Sequence, residues 1–392
     1  MVNIGIFGMG TVGTGVIEVL ENNNDLIYRK TGKEINIKKI LVNDLNKERP
    51  LKVNDKLTVD AEEILNDDKI QIIVELIGGF DTAYNYIKKA LENKKHVITA
   101  NKDVISRCGK ELLQIAKRND VNLLFEASVG GGIPIIRPLR YCLACNKITK
   151  ITGILNGTTN YILSKMFEKP VKFEEILSKA QELGYAESDP TADVEGLDAA
   201  RKLAILSSLA FETEIHPEQI YTEGISNITE KDIIHAKNNG YIIKLLGVSR
   251  VHEKGVEARV TPVFLSENHP LSNVMGVYNS IMIEGYPIGE VMFYGQGAGK
   301  EPTANAVISD LMEVINDGGK HKKYNIGVRE IKLMNMANIK SEFYIRAEIP
   351  DGPDVESKLG NILRDNNLNI KSMQMKKNEN GNSESSYLAS FE

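Results

Sequence analysis

The 392-residue chain has no tryptophan, three cysteines and 6% aromatic residues. Three thiols cannot build a disulfide framework, and so few fit a reducing compartment. They supply no zinc cage either. Cys142 and Cys145 form a C-x-x-C within RYCLACNK, but Cys108 is the only other thiol and the six histidines are scattered, whereas a structural zinc takes about four ligands. Two small side chains on a helix account for the spacing better than redox or metal chemistry. An excess of charge is also lacking: the net charge is −5, which gives no reason to expect a nucleic-acid partner. No apolar run reaches the ~20 residues of a membrane-spanning helix, and MVNIGIFGMG carries neither the basic nor the apolar region of a secretory leader. The expectation is a cytoplasmic protein without nucleic-acid or membrane partners. Its length is too great for one ordinary core, and two or three domains are expected.

What is present begins with five short apolar runs, in VNIGIF, INIKKILVND, IQIIVELIGG, KHVITANK and VNLLFEASVGGG. None alternates, as befits strands covered on both faces. Helix-like segments such as DTAYNYIKKALENK fill the gaps, so the first part reads as an α/β unit with a doubly wound parallel sheet. Beyond GGGIPIIRPLRY the pattern changes. TKITGILNGTTNYIL, EARVTPVFL and VYNSIMIEG read as strands among helices, which predicts an α+β domain. EVMFYGQGAGKEPTANAVISDL then reads as a glycine-rich turn entering a helix with Pro302 near its start. The tail from Glu342 reads as strand, helix, strand, hairpin, strand. The expected domains are 1–134, completed by about 291–320, then 135–290, then 339–392.

Gly8-Met9-Gly10-Thr11-Val12-Gly13 is a G-x-G-x-x-G between the first strand and the first helix, the setting that a Rossmann-type dinucleotide site requires. Gly8 permits the tight turn, Gly10 lets the backbone approach a pyrophosphate, and Gly13 lets helix and strand pack closely. The second strand ends at Asn43-Asp44. Asp44 suits the ribose hydroxyls of NAD, while Lys47 and Arg49 suit the 2′-phosphate of NADP, and the residues leave both open. Lys102 follows the fourth strand in Thr99-Ala100-Asn101-Lys102, at the strand end that borders a ligand crevice.

A second concentration of chemistry lies in AESDPTADVEGLDAARKLAILSSLAF. Glu187, Asp189, Asp193, Glu195 and Asp198 precede a helical run in which Asp198 and Lys202 are four apart and share a face. Burial lowers the proton affinity of a lysine, and a second lysine nearby lowers it further, while an adjacent aspartate opposes both. Lys102 and Lys202 in one cleft would form an acid poised near working pH. Glu187 and Asp193 are then free for a cationic group on a substrate.

Seven motifs in order, GIFGMGTVGTGV, VELIGG, VITANK, FEASVGGGIPII, GILNGTTNYIL, LGYAESDPTADVEGLDAARKLAIL and YGQGAGKEPTANAVISDL, resemble homoserine dehydrogenases along essentially the whole chain. The resemblance implies reversible NAD- or NADP-dependent reduction of L-aspartate 4-semialdehyde to L-homoserine, in amino-acid biosynthesis. It implies Lys202 as acid–base residue, Lys102 as the group that positions and polarises substrate, and Asp198 as a catalytic aspartate. It further implies Glu187, Asp193, Gly157, Thr158 and Tyr185 at the substrate. Around the cofactor it implies Phe7, Gly8, Gly10, Thr11, Val12, Gly13, Asn43, Gly78, Thr99, Lys102, Gly184, Glu187 and Gly299. It also implies a homodimer formed through the substrate domain, and a structural sodium ion on Glu126 and the carbonyls of Val129, Gly131 and Ile133. The tail resembles a partial ACT module ending after its third strand. The position of its effector loop holds Asp351-Gly352-Pro353-Asp354-Val355, which departs from the usual pattern. The expected role of this segment is to pair with the same segment of another subunit. A different class, a dinucleotide- and amino acid-responsive regulatory protein without catalysis, is the competing reading; the intact Lys102, Asp198 and Lys202 argue against it.

Overall fold

The computed structural model describes residues 1–169, 171–349, 355–366, 368–377 and 383–391. The first sheet has six parallel strands, in spatial order Leu57–Thr58, Ile35–Leu41, Val2–Phe7, Ile72–Glu75, His96–Thr99 and Leu123–Leu124. Successive strand residues feed opposite layers. Ile72 and Val74 join the core under the helices Thr11–Asn22 and Lys300–Asn316, while Ile73 joins the core on the other face with Phe7, Val97 and Leu123. Both faces are covered, which is why the runs carry no polar alternation. The order reverses at Val2–Phe7, and the strand ends there open a crevice.

The second sheet is mostly antiparallel, in order Gly289–Gln296, Tyr278–Tyr286, Lys147–Ile154, Tyr241–His252, Gly255–Ser266 and Tyr221–Thr222. The helices Gly157–Glu168 and Leu197–Ala210 pack on it. Half-buried Arg137 links this region to the first: its guanidinium bonds Glu313 Oε2 at 2.5 Å, Ser309 Oγ at 2.8 Å and Asp310 Oδ1 at 3.2 Å on the helix Lys300–Asn316.

Several local expectations change. The strand expected through GTTNYIL ends at Ile154, and Gly157–Glu168 is a helix. Asn156 starts it, its side chain accepting from Thr159 N at 2.9 Å, and nearly every side is buried, so no helical stripe marks the sequence. The fifth strand is only Leu123–Leu124; a 3₁₀ turn at Glu126–Ser128 follows. Cys142 and Cys145 are exposed in a turn beyond the helix Ile136–Arg140 rather than on a helix. The return to the first region falls later than about residue 291, because 291–296 pair with Tyr278–Tyr286 and the crossing begins near Gly297.

The tail forms strand Glu342–Ile349, helix Val355–Asp365 and strands Leu368–Lys377 and Ser383–Phe391, with the last strand in the middle of the sheet. The loop positions 351–354 lie outside the described residues. Tyr344 stacks on Phe264 at 4.4 Å between ring centres, and the Tyr344 hydroxyl and Arg346 Nε each reach Asp232 Oδ1 at 2.8 Å.

Candidate active site

The glycine loop makes the tight turn and the close helix–strand packing that its spacing predicts. Gly8 has φ +98°, and a Cβ there would sit 2.8 Å from the Leu76 carbonyl; a Cβ on Gly13 would sit 2.2 Å from the Gly8 carbonyl. Above Gly10 a Cβ would meet nothing within 4 Å, and the helix Thr11–Asn22 begins there with no side-chain cap on its first N–H groups. Bare N–H groups at an accessible helix start suit a pyrophosphate. Thr11 is exposed and Val12 half-buried beside this loop. The Phe7 side chain instead lies in the core, edge-on to Tyr86. Asn43 is exposed past the second strand. Arg49 folds back so that Nη2 donates to the Asp44 carbonyl at 2.5 Å and Nη1 to the Lys47 carbonyl at 2.8 Å.

The neighbouring strand ends are cross-braced by a residue that the motifs did not single out. Glu75 is fully buried; its carboxylate accepts Thr99 Oγ1 at 2.5 Å and Ile77 N–H at 2.6 Å. Burial raises its pKa to about 7 against the two hydrogen bonds. Thr99 Oγ1 also accepts Asn101 N–H at 2.9 Å. Asn101 Nδ2 holds the carbonyls of Ile77 and Gly79, while Oδ1 caps Val104 N–H at the start of the helix Lys102–Arg118. Gly78 thus sits in a loop whose backbone is tied to the helix carrying Lys102. A lone acid inside the apolar VELIGG was the available signal.

Lys102 and the helix Leu197–Ala210 meet across the cleft. Asp198 is buried between two ammonium groups: Lys202 Nζ lies 2.7 Å from Oδ2 and Lys102 Nζ lies 2.8 Å from Oδ1. Lys202 also donates to the Leu155 carbonyl at 2.9 Å. Arg201 Nε pairs with Asp103 Oδ1 at 2.8 Å and repeats the cross-brace one residue along. Burial pushes the Asp198 carboxyl up, but Lys202 and Lys102 outweigh it and hold it well below the usual carboxylate range. For Lys102 the expected lowering is reversed. Burial lowers its proton affinity, yet Asp198, with Asp103 and Asp193 behind it, raises the pKa above the ordinary lysine value. The aspartate intervenes between the two lysines, and attraction at contact distance exceeds their repulsion.

Asn156 extends the network. Its Nδ2 donates to Asp193 Oδ1 at 2.7 Å and to Asp198 Oδ2 at 3.0 Å. Thr158 Oγ1 contacts Asp193 Oδ2 at 3.1 Å and the Tyr185 carbonyl at 2.6 Å. Lys202, Asp198, Lys102, Asp193, Gly157 and Thr158 therefore come together, with Tyr185 and Gly184 on the adjoining rim. Glu187 is exposed there, and its carboxylate has no partner among the described residues. Asn156 was legible as a helix cap before G-T-T, though not as a bridge between two carboxylates. Gly299 begins the helix Lys300–Asn316 with φ +122°. In the hinge, both Glu126 carboxylate oxygens are engaged: Oε1 by Ile135 N–H at 2.5 Å and Ile136 N–H at 2.8 Å, and Oε2 by Arg137 N–H at 2.7 Å. Among the described residues no group of three or more His, Cys, Asp or Glu side chains could hold a metal, and no helix is long and apolar enough to cross a membrane.

A phosphate-ready glycine loop and a lysine–aspartate–lysine cluster, facing one crevice of a doubly wound sheet, define an NAD(P)-dependent oxidoreductase. The homoserine dehydrogenase family model matches residues 134–312, and the model for the NAD-binding domain of homoserine dehydrogenase matches residues 8–126. The chain is 40% identical over 380 residues to the homoserine dehydrogenase of Bacillus subtilis, covering 94% of this chain and 86% of that one. The crystal structure of a homoserine dehydrogenase from Thiobacillus denitrificans superposes with a TM-score of 0.94 at 38% identity, covering 99% of this chain and 91% of the other. A hyperthermophilic archaeal homoserine dehydrogenase in complex with NADPH superposes with a TM-score of 0.66 at 28% identity, covering 80% and 97%. The chain belongs to the homoserine dehydrogenase family.

Proposed function

We infer that the chain catalyses the reversible reduction of L-aspartate 4-semialdehyde to L-homoserine with NAD(P)H. The observation that carries this reading is Asp198 buried between Lys102 and Lys202 at 2.8 and 2.7 Å. The nicotinamide supplies the hydride to the aldehyde carbon and takes it back in the reverse direction. The oxygen that becomes anionic needs a proton. An ammonium has three donors, and Lys202 spends two, on Asp198 and Leu155; the third serves the substrate oxygen. Asp198 keeps Lys202 in place, and Lys102 supplies a second positive charge to polarise the carbonyl. Asp193 and Glu187 hold the ammonium of the amino-acid end, with Thr158, Gly157 and Tyr185 shaping the pocket. Asn156 keeps Asp193 and Asp198 in register. The regulatory reading without catalysis finds no support beside this intact cluster.

The cofactor sits on Gly8, Gly10, Thr11, Val12 and Gly13, with Gly78, Thr99, Gly184 and Gly299 about the nicotinamide end and Asn43 at the adenosine end. Phe7 lends only its backbone. Arg49, steadied by two carbonyls, and Lys47 are the groups for a 2′-phosphate, so NADP is accepted as well as NAD. Loop carbonyls of Val129, Gly131 and Ile133 offer a neutral oxygen set that suits sodium, and the Glu126 carboxylate, committed to three N–H groups, fixes the shape of that loop. The outer strand Gly289–Gln296 leaves Met292 and Tyr294 exposed, with Tyr278 stacked on Tyr294 at 5.1 Å. A strand that forms a sheet edge among the described residues, with Met292 and Tyr294 exposed, fits a homodimer formed through the substrate domain. The three free cysteines fit the cytoplasm.

The test is nicotinamide absorbance during homoserine oxidation, with NAD and NADP run separately. Activity with either supports the reading; a folded protein that binds dinucleotide and oxidises no homoserine overturns it.

A further inference from the structure

Away from the cleft, a cavity of about 280 Å³ opens where three parts of the chain meet. Leu209 and Ala210, the last residues of the helix Leu197–Ala210, form one wall; Arg140 and Lys147 flank the connection between the hinge helix and the second sheet; Lys323, Asn325 and Arg329 close it from the segment leading to the tail. Its charge is one-sided. Arg140 is satisfied, with Nη1 on the Tyr324 hydroxyl and Nη2 on Glu313 Oε1, both at 2.6 Å. Lys147, Lys323 and Arg329 have no carboxylate partner among the described residues, although ion pairs are frequent elsewhere. The one acid in the lining is Glu212, whose Oε1 accepts Asn325 Nδ2 at 2.8 Å. Three unpaired cations against one carboxylate leave two excess positive charges on a chain whose net charge is −5.

We propose that this cavity binds a small multivalent oxyanion, a phosphate ester or a polycarboxylate. Cations gathered around a concavity raise its potential, and a guanidinium beside two ammonium groups matches such a ligand in charge and hydrogen-bond geometry. The ligand bridges the hinge, the second sheet and the segment before the tail, so it stabilises the folded chain by linkage. It also meets the helix of Asp198 and Lys202 at its other end, about 18 Å from Asp198 at ~1.5 Å per residue.

The experiment is thermal unfolding of the full chain with NAD and NADP both saturating, so that anions do not act through the dinucleotide site. Inorganic pyrophosphate and citrate are titrated separately against potassium chloride at equal ionic strength. At ~10 mM, one of them raises Tm by about 2–4 °C, and the rise is lost in K323E/R329E. Pyrophosphate alone acting identifies a phosphate ester; citrate alone identifies a polycarboxylate. No rise with either, or an equal rise in the variant, overturns the proposal. If K323E/R329E does not fold, K323Q/R329Q gives the same reading, with at least a tenfold weaker half-saturation expected.

Discussion

Asp198 is held by an ammonium on each side and by the Asn156 amide at 3.0 Å, and this placement decides what each neighbour can do. Because Lys202 is held by Asp198 and the Leu155 carbonyl, replacing it removes the proton donor without touching the glycine loop. Lys202→Ala is expected to lower kcat by ~10²–10⁴-fold while cofactor affinity, read by fluorescence titration, stays within about twofold; an unchanged kcat discards the role. At the other end of the crevice Arg49 is a test of cofactor preference. Its guanidinium is oriented by the Asp44 and Lys47 carbonyls, so Arg49→Ala should reduce kcat/KM with NADP by about tenfold, an amount typical of one charge-assisted contact, and leave kcat/KM with NAD nearly unchanged. Parallel losses with both cofactors would place Arg49 outside any phosphate contact.

At the level of elements, the strand ends of the first sheet are fastened to one another through a carboxyl that titrates near neutrality. Glu75 has a pKa raised to about 7 by burial. A raised carboxyl favours the fold fully below its unfolded value of 4.5, and this contribution is lost as pH rises through about 7. The full span corresponds to at most about 3 kcal/mol. Glu75→Gln removes the titration while keeping an acceptor for Ile77 N–H. Urea midpoints of the two proteins, compared at pH 5 and pH 8, should move apart in favour of the variant at the higher pH. Midpoint differences equal at both pH values would show that Glu75 does not titrate between them. The same bracing explains why Thr99, read from the sequence as a cofactor residue, is buried and spends its hydroxyl on Glu75: it shapes the loop from beneath.

Across the whole molecule, two regions are joined at the cleft by Lys102–Asp198 and Arg201–Asp103 and behind it by Arg137 and the helix Lys300–Asn316. The tail docks on the second region through Tyr344 and Arg346 against Phe264 and Asp232, and its sheet keeps Glu342–Ile349 and Leu368–Lys377 as edges. The outermost strands of a sheet can pair with another copy. A chain ending at Asn338 is expected to lose part of its assembly, seen as a smaller mass in light scattering, while retaining homoserine oxidation within about threefold because the cleft lies elsewhere. An unchanged mass would remove the tail from the assembly.

The sequence by itself determined the parallel sheet, the glycine loop and the Asp198–Lys202 pair, because each depends on neighbours in the chain: strand runs buried on both faces, a turn that only glycine permits, and a four-residue helical spacing. Tertiary structure alone decided the rest. It put Asp198 between lysines from two regions and thereby raised the proton affinity of Lys102 where sequence reasoning lowered it. It made Asn156 a bridge between two carboxylates, turned GTTNYIL into a helix buried nearly all round, and gathered Lys147, Lys323 and Arg329 around one cavity. These outcomes depend on distances between residues far apart in the chain, and a coulombic or hydrogen-bond energy cannot be assigned until those distances exist.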